Sequence, residues 1–123
     1  MSLAKLKNAL NTTVEIFDAT EQVFKRIGRL LNLVPRSKPV PVLSFPEVIE
    51  YFIEERPKNA KVTRGAIMRE PHRRGFIVTQ VFLDEQNRVY CPGGTPYGRR
   101  LVVRQLDDEL AHKFGDTNLI LVK

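Results

Sequence analysis

Lys61-Val62-Thr63-Arg64-Gly65-Ala66-Ile67-Met68-Arg69, Gly75-Phe76-Ile77-Val78-Thr79-Gln80-Val81-Phe82-Leu83 and Arg99-Arg100-Leu101-Val102-Val103-Arg104-Gln105 decide the fold. All three runs are rich in β-branched and aromatic residues and are separated by turn chemistry, which predicts an antiparallel meander. Between the second and third, Asp84-Glu85-Gln86-Asn87 reads as a polar hairpin loop and Arg88-Val89-Tyr90 as a stub of returning strand. In the second run Phe76, Val78 and Phe82 alternate with Ile77, Val81 and Leu83, so both faces are apolar. A strand of that kind is covered on both sides, here by a helix on one face and opposing strands on the other. Gly65 and Ala66 in the middle of the first run suggest a bulge or bend of the sort that closes small barrels.

Towards the C-terminus, Leu106-Asp107-Asp108-Glu109-Leu110-Ala111-His112-Lys113-Phe114-Gly115 predicts a short helix. Its acids stand in the first turn, Lys113 in the last, and Gly115 follows as a C-cap. The continuous apolar run Leu119-Ile120-Leu121-Val122, entered from Asn118, predicts a closing buried strand. A meander, a short helix and a closing strand follow one another in the order of SH3-like small barrels. The likeness is architectural, covers roughly the last half of the chain and brings no family motif with it.

Towards the N-terminus, Ser44-Phe45-Pro46-Glu47 is a helix start, with Ser44 as cap and Pro46 in the first turn. The helix runs on through Val48, Ile49, Phe52 and Ile53, its buried stripe, and ends before Pro57. Glu47, Glu50 and Glu54 face outward as a solvated surface. Pro35, Pro39, Pro41 and Pro46 interrupt the chain before it, so residues 35–45 read as a proline-rich linker in which residues 40–43 form an edge strand or an extended spacer.

Residues 3–34 carry a heptad. Leu3, Leu10, Phe17, Phe24 and Leu31 recur every seven residues, with Leu6, Thr13, Thr20, Ile27 and Val34 as the companion series. Thr12-Thr13-Val14-Glu15 fits a capping box, so a short helix near 2–10 and a longer one near 13–33 are expected. Such a stripe docks a partner helix, mediates self-association, or covers the chain's own sheet. A membrane-surface helix is the remaining reading, since Lys5, Lys7, Lys25, Arg26 and Arg29 flank it. The expected architecture is α+β: N-terminal amphipathic helices (1–34), the linker (35–45), and a core domain (46–123) built on a small antiparallel sheet or SH3-like barrel.

At 123 residues the chain suits one compact domain, and its 42% hydrophobic and 28% charged content is that of a globular protein. No apolar run approaches the roughly 18 residues that span a bilayer, and no secretory signal is evident, so a cytoplasmic location is expected. Cys91 is the sole cysteine, which leaves no intrachain disulfide. The net charge of +6 is unevenly shared: residues 58–104 hold ten Lys or Arg against three acids. That basic block suggests an anionic partner, nucleic acid or acidic protein.

The candidate contact residues are Arg73 and Arg74 in the turn between the first two strands, with Arg99 and Arg100, Tyr97, Lys61 and Arg64. The loop Tyr90-Cys91-Pro92-Gly93-Gly94-Thr95-Pro96-Tyr97-Gly98 resembles no phosphate-binding pattern, because no Gly-Lys-Ser/Thr ends it and no helix follows. Its tyrosines with Arg99 and Arg100 suit stacking on a nucleic-acid strand, whereas its glycines also suit a purely structural loop. Cys91 with His72 or His112 and Asp107 is a formal nucleophile–base–orienter set. No motif surrounds it, and His72 has no metal-spaced partner.

No cofactor, metal or small-molecule substrate is indicated. The leading expectation is a non-enzymatic interaction or assembly module, an adaptor or small subunit, that uses residues 3–34 and the basic β surface. Sequence-tolerant nucleic-acid binding is the alternative, and a small hydrolase or nuclease the third reading.

Overall fold

The computed structural model describes residues 36–94 and 97–122, and the expected helices within 1–34 lie outside them. In chain order the elements are β1 (Arg36–Leu43), α1 (Phe45–Glu54), β2 (Arg64–His72), β3 (Gly75–Leu83), a single 3₁₀ turn (Pro92–Gly94), β4 (Gly98–Leu106), α2 (Asp108–Phe114) and β5 (Leu119–Val122). The protein is α+β. Among the described residues five strands make one mixed sheet in the order β1-β4-β3-β2-β5. The β2-β3-β4 meander is antiparallel as the patterning predicts.

The barrel is not formed. Among the described residues β5 pairs with β2 alone and β1 with β4 alone, so these two strands sit at opposite edges of an open sheet. The β1–β4 pairing is parallel, with Val40 opposite Val103 and Leu43 opposite Leu106. Of the two readings of residues 40–43, the edge strand is the one formed, and it begins earlier, at Arg36. Pro39 and Pro41 fit there because an edge strand leaves one side of its backbone unpaired, so a missing amide hydrogen breaks no ladder. Gly65 makes no bulge. The β2–β3 register runs unbroken from Arg64 opposite Leu83 to His72 opposite Gly75. Its role is space, since a Cβ there would stand 2.6 Å from the Phe52 ring. The stub at Arg88-Val89-Tyr90 is reduced to one isolated bridge between Leu83 and Val89.

α1 starts where Ser44 caps it: the Ser44 hydroxyl accepts from the Glu47 amide at 3.2 Å. Val48, Ile49 and Phe52 are buried at helical spacing against the sheet. Burying each such side chain is worth about 1.5–3 kcal/mol. Residues Ile67, Val78, Phe82, Leu101, Val103 and Ile120 receive them from the strands, and Leu110 and Phe114 of α2 complete that core.

One carboxylate ties the two helices together. Asp107 is the N-cap of α2 and accepts from the Leu110 amide at 2.8 Å, and its two oxygens also accept from the Phe45 amide at 3.3 Å. Both helices thus start on one side chain. Asp107→Ala is expected to lower stability by about 2 kcal/mol, the upper end for a single cap, as read by urea denaturation. A loss under about 0.5 kcal/mol would show that water replaces the carboxylate at both ends.

Candidate functional site

The meander sets where the charges go. β2 and β3 meet in a tight turn in which His72 pairs with Gly75, leaving Arg73 and Arg74 at the tip, both exposed. Gly75 holds this turn at φ 134, and a Cβ on it would lie 2.3 Å from the Val103 carbonyl oxygen and 2.6 Å from that of Arg104. Arg104 of β4 therefore stands beside the turn, and it too is exposed. Three arginines share one end of the sheet. Among the described residues no carboxylate lies within ion-pair distance of any of them. The nearby Glu70 is engaged by Arg100 at 3.4 Å.

Arg104 was not among the expected contact residues. Counting along the meander from the turn would have found it, because a strand antiparallel to β3 must bring its far end back to Gly75. Arg99 and Arg100, expected as a pair, part company. Adjacent residues of a strand point to opposite faces. Arg99 lies on the helix side: its guanidinium stacks 4.2 Å from the Tyr51 ring centroid, and its Nε donates to Gln80 Oε1 at 2.7 Å. Arg100 lies on the reverse side with Glu70.

Lys61 and Arg64 stand at the other end of β2, about 25 Å from His72 at the rise of a strand. Lys61 is exposed, and Arg64 donates to Asn87 Oδ1 at 2.9 Å. Tyr97 is half-buried, its ring 5.6 Å from that of Phe82 and 5.9 Å from that of Tyr90. The expected contact set thus divides. Arg73 and Arg74 lie together with Arg104, while Lys61, Arg64, Tyr97 and Arg99 lie towards the opposite end.

Two concavities flank α1. One, of about 550 Å³, is lined by Glu47, Glu50, Glu54 and Glu55 with Tyr51, Tyr97 and Arg99. The other, of about 140 Å³, is largely apolar, with Phe52, Ile53, Phe82 and Val122 in its wall and Arg56 and Arg64 beside them. Arg56 donates to the Val62 carbonyl, so its guanidinium braces the loop before β2.

The Cys91 set is not assembled. Cys91 follows the Leu83–Val89 bridge, at the end of the meander far from His72. Burial raises the pKa of its thiol, which disfavours the thiolate a nucleophile needs. Asp107 uses its oxygens as helix caps. Among the described residues no group of three or more His, Cys, Asp or Glu is placed to hold a metal ion. Within the same residues no helix is long and apolar enough to cross a membrane.

The polar hairpin after β3 is built on Asp84. Slight burial pushes its carboxyl up, but hydrogen bonds from the Arg88 and Gln86 amides and the Arg88 guanidinium outweigh this and hold it below the ordinary 3.8. A carboxyl depressed by folding stabilises fully above its unfolded pKa, and the gain fades as pH falls through the lower folded value. Stability of the wild type is therefore expected to fall between about pH 4 and pH 2 more steeply than that of Asp84→Asn. Parallel acid-dependence curves from urea melts would contradict this.

Compared with protein-family models, curated proteins and solved structures, the chain finds no match.

Proposed function

We propose that this protein is a non-enzymatic interaction module that docks a partner with an acidic surface through the end of its sheet formed by Arg73, Arg74 and Arg104. The observation that supports the reading is the charge itself: three exposed guanidinium groups on neighbouring backbone positions, with no carboxylate against them among the described residues. Like charges held together cost free energy in the isolated molecule, and an anionic partner relieves that cost. Strand pairing up to His72 opposite Gly75 sets the backbone of the turn, so the ordering that docking costs falls mainly on the three arginine side chains.

Nucleic-acid binding by the same arginines is the second reading. Its stacking element is weakened, because the Tyr97 ring lies against Phe82 and Tyr90 at the other end of the sheet. Fluorescence anisotropy separates the two, with labelled poly-glutamate peptide and with single- and double-stranded oligonucleotides, each at two salt concentrations. The expected result is peptide binding that weakens with salt and drops at least about tenfold in the Arg73→Glu, Arg74→Glu, Arg104→Glu triple variant. Oligonucleotide binding alone, with a log–log salt slope of about −3, would transfer the site to nucleic acid. No binding of either probe would remove both readings.

A further inference from the structure

α1 separates two unlike concavities. Glu47, Glu50, Glu54 and Glu55 all line the larger one, whereas among the described residues no carboxylate lines the smaller. Phe52 and Ile53 of α1, Phe82 of β3 and Val122 of β5 form the apolar wall of the smaller pocket. The two rings stand edge to face with centroids 5.5 Å apart. Gly65 also lines it and has no side chain to fill the space. The volume of about 140 Å³ is close to the roughly 150 Å³ of an apolar cavity that admits benzene, so one phenyl ring or a branched aliphatic group of like bulk fits.

The rim is basic. Arg56 and Thr63, which begin and end the loop from α1 to β2, both line the pocket, and that loop carries the exposed Lys58 and Lys61 between them. The loop is held by its own bonds: Arg56 Nη2 donates to the Val62 carbonyl at 3.2 Å, and the Asn59 side chain accepts from the Lys61 amide at 3.0 Å. Arg64, beside the pocket, gives a donor to Asn87 Oδ1, which leaves Arg56 as the rim cation. Among the described residues no carboxylate lies within ion-pair distance of Arg56. One bond to Val62 uses one of five guanidinium N–H donors, and the fork that remains matches a carboxylate. The Thr63 hydroxyl makes no hydrogen bond within the protein, so turning it about χ1 towards a ligand breaks none.

We propose that this pocket binds a small monocarboxylic acid with a single phenyl-sized apolar group. The group sits against Phe52, Ile53, Phe82 and Val122, and the carboxylate meets Arg56 at the rim. Apolar walls supply the affinity, and the rim cation selects the acid over a neutral or cationic analogue. The site stands apart from the arginine turn, which lies at the other end of β2.

Phenylacetate, 2-phenylethanol and phenethylamine test this, each titrated into isotope-enriched, full-length protein while backbone amide shifts are recorded. Saturable changes are expected at Phe52, Ile53, Gly65 and Val122, with phenylacetate bound at least about fivefold tighter than the alcohol and the amine weakest. Arg56→Gln is expected to bring phenylacetate down to the affinity of the alcohol. Ile53→Phe, which fills the pocket, is expected to abolish binding of both, and Arg56→Gln decides alone if that variant does not fold. Equal affinity for acid and alcohol in the wild type would overturn the proposal, as would changes that never saturate. Changes centred on residues 72–75 would also overturn it, by showing that the acid merely visits the exposed arginines of the turn.

Discussion

Gly75→Ala is expected to lower stability by about 4 kcal/mol, at the severe end for a single methyl group. Two causes combine. The backbone there adopts φ 134, a region essentially confined to glycine. The added Cβ would also stand 2.3 Å and 2.6 Å from two carbonyl oxygens of β4, and these belong to a paired backbone that cannot rotate away. In a domain of this size the loss corresponds to a melting temperature lower by about 15 °C. Gly93→Ala is the control. Gly93 also has positive φ, at 65, but a Cβ there meets nothing within 4 Å. It should cost only about 1 kcal/mol, the left-handed backbone penalty alone. Equal losses at the two positions, measured by thermal melts, would show that the β3–β4 approach is looser than described.

Gln80→Leu is expected to cost about 2–3 kcal/mol although it keeps the side chain's size and adds apolar surface to a buried site. Gln80 has no exposure. Its Nε2 donates to the Val48 carbonyl of α1 at 3.1 Å, and its Oε1 accepts from Arg99 Nε at 2.7 Å. One amide therefore joins β3, α1 and the start of β4. Leucine would leave the half-buried Arg99 guanidinium without this acceptor and remove a bridge from helix to sheet. Chemical denaturation measures the loss directly. A variant as stable as the wild type would mean that Arg99 and Val48 find equivalent partners at no cost.

Local chemistry was legible in the sequence where neighbours along the chain decide it. Ser44, Pro46 and Glu47 announce α1, and the Ser44 cap is formed. Gly115 ends α2 at φ 54, as its position after Phe114 predicts. Asp84 organises the loop after β3 through its own hydrogen bonds to Gln86 and Arg88. Long-range choices were not legible. Two prolines leave residues 40–43 readable as an edge strand or a spacer, and the partner that decides between them, in β4, lies some sixty residues onward. An open sheet and a barrel share the same run of strands, and they differ only in whether β1 and β5 meet. Gly65 reads as a bend because nothing nearby announces the Phe52 ring it makes room for.

The candidate site divides along the same line. Arg73 and Arg74 are adjacent within a turn, so their shared exposure was readable. Arg99 and Arg100 are adjacent within a strand, where adjacency separates side chains rather than pairing them. Arg104 joins the turn only through the register of β3 with β4.

The docking claim rests on that turn, and a titration followed by NMR tests it most directly. Isotope-enriched, full-length protein is titrated with poly-glutamate peptide at low salt while backbone amide shifts are recorded. The account predicts saturable changes centred on residues 72–75 and 103–105, abolished by charge reversal at Arg73, Arg74 and Arg104. Changes centred instead on α1 and the loop before β4, or none at any peptide concentration, would contradict it.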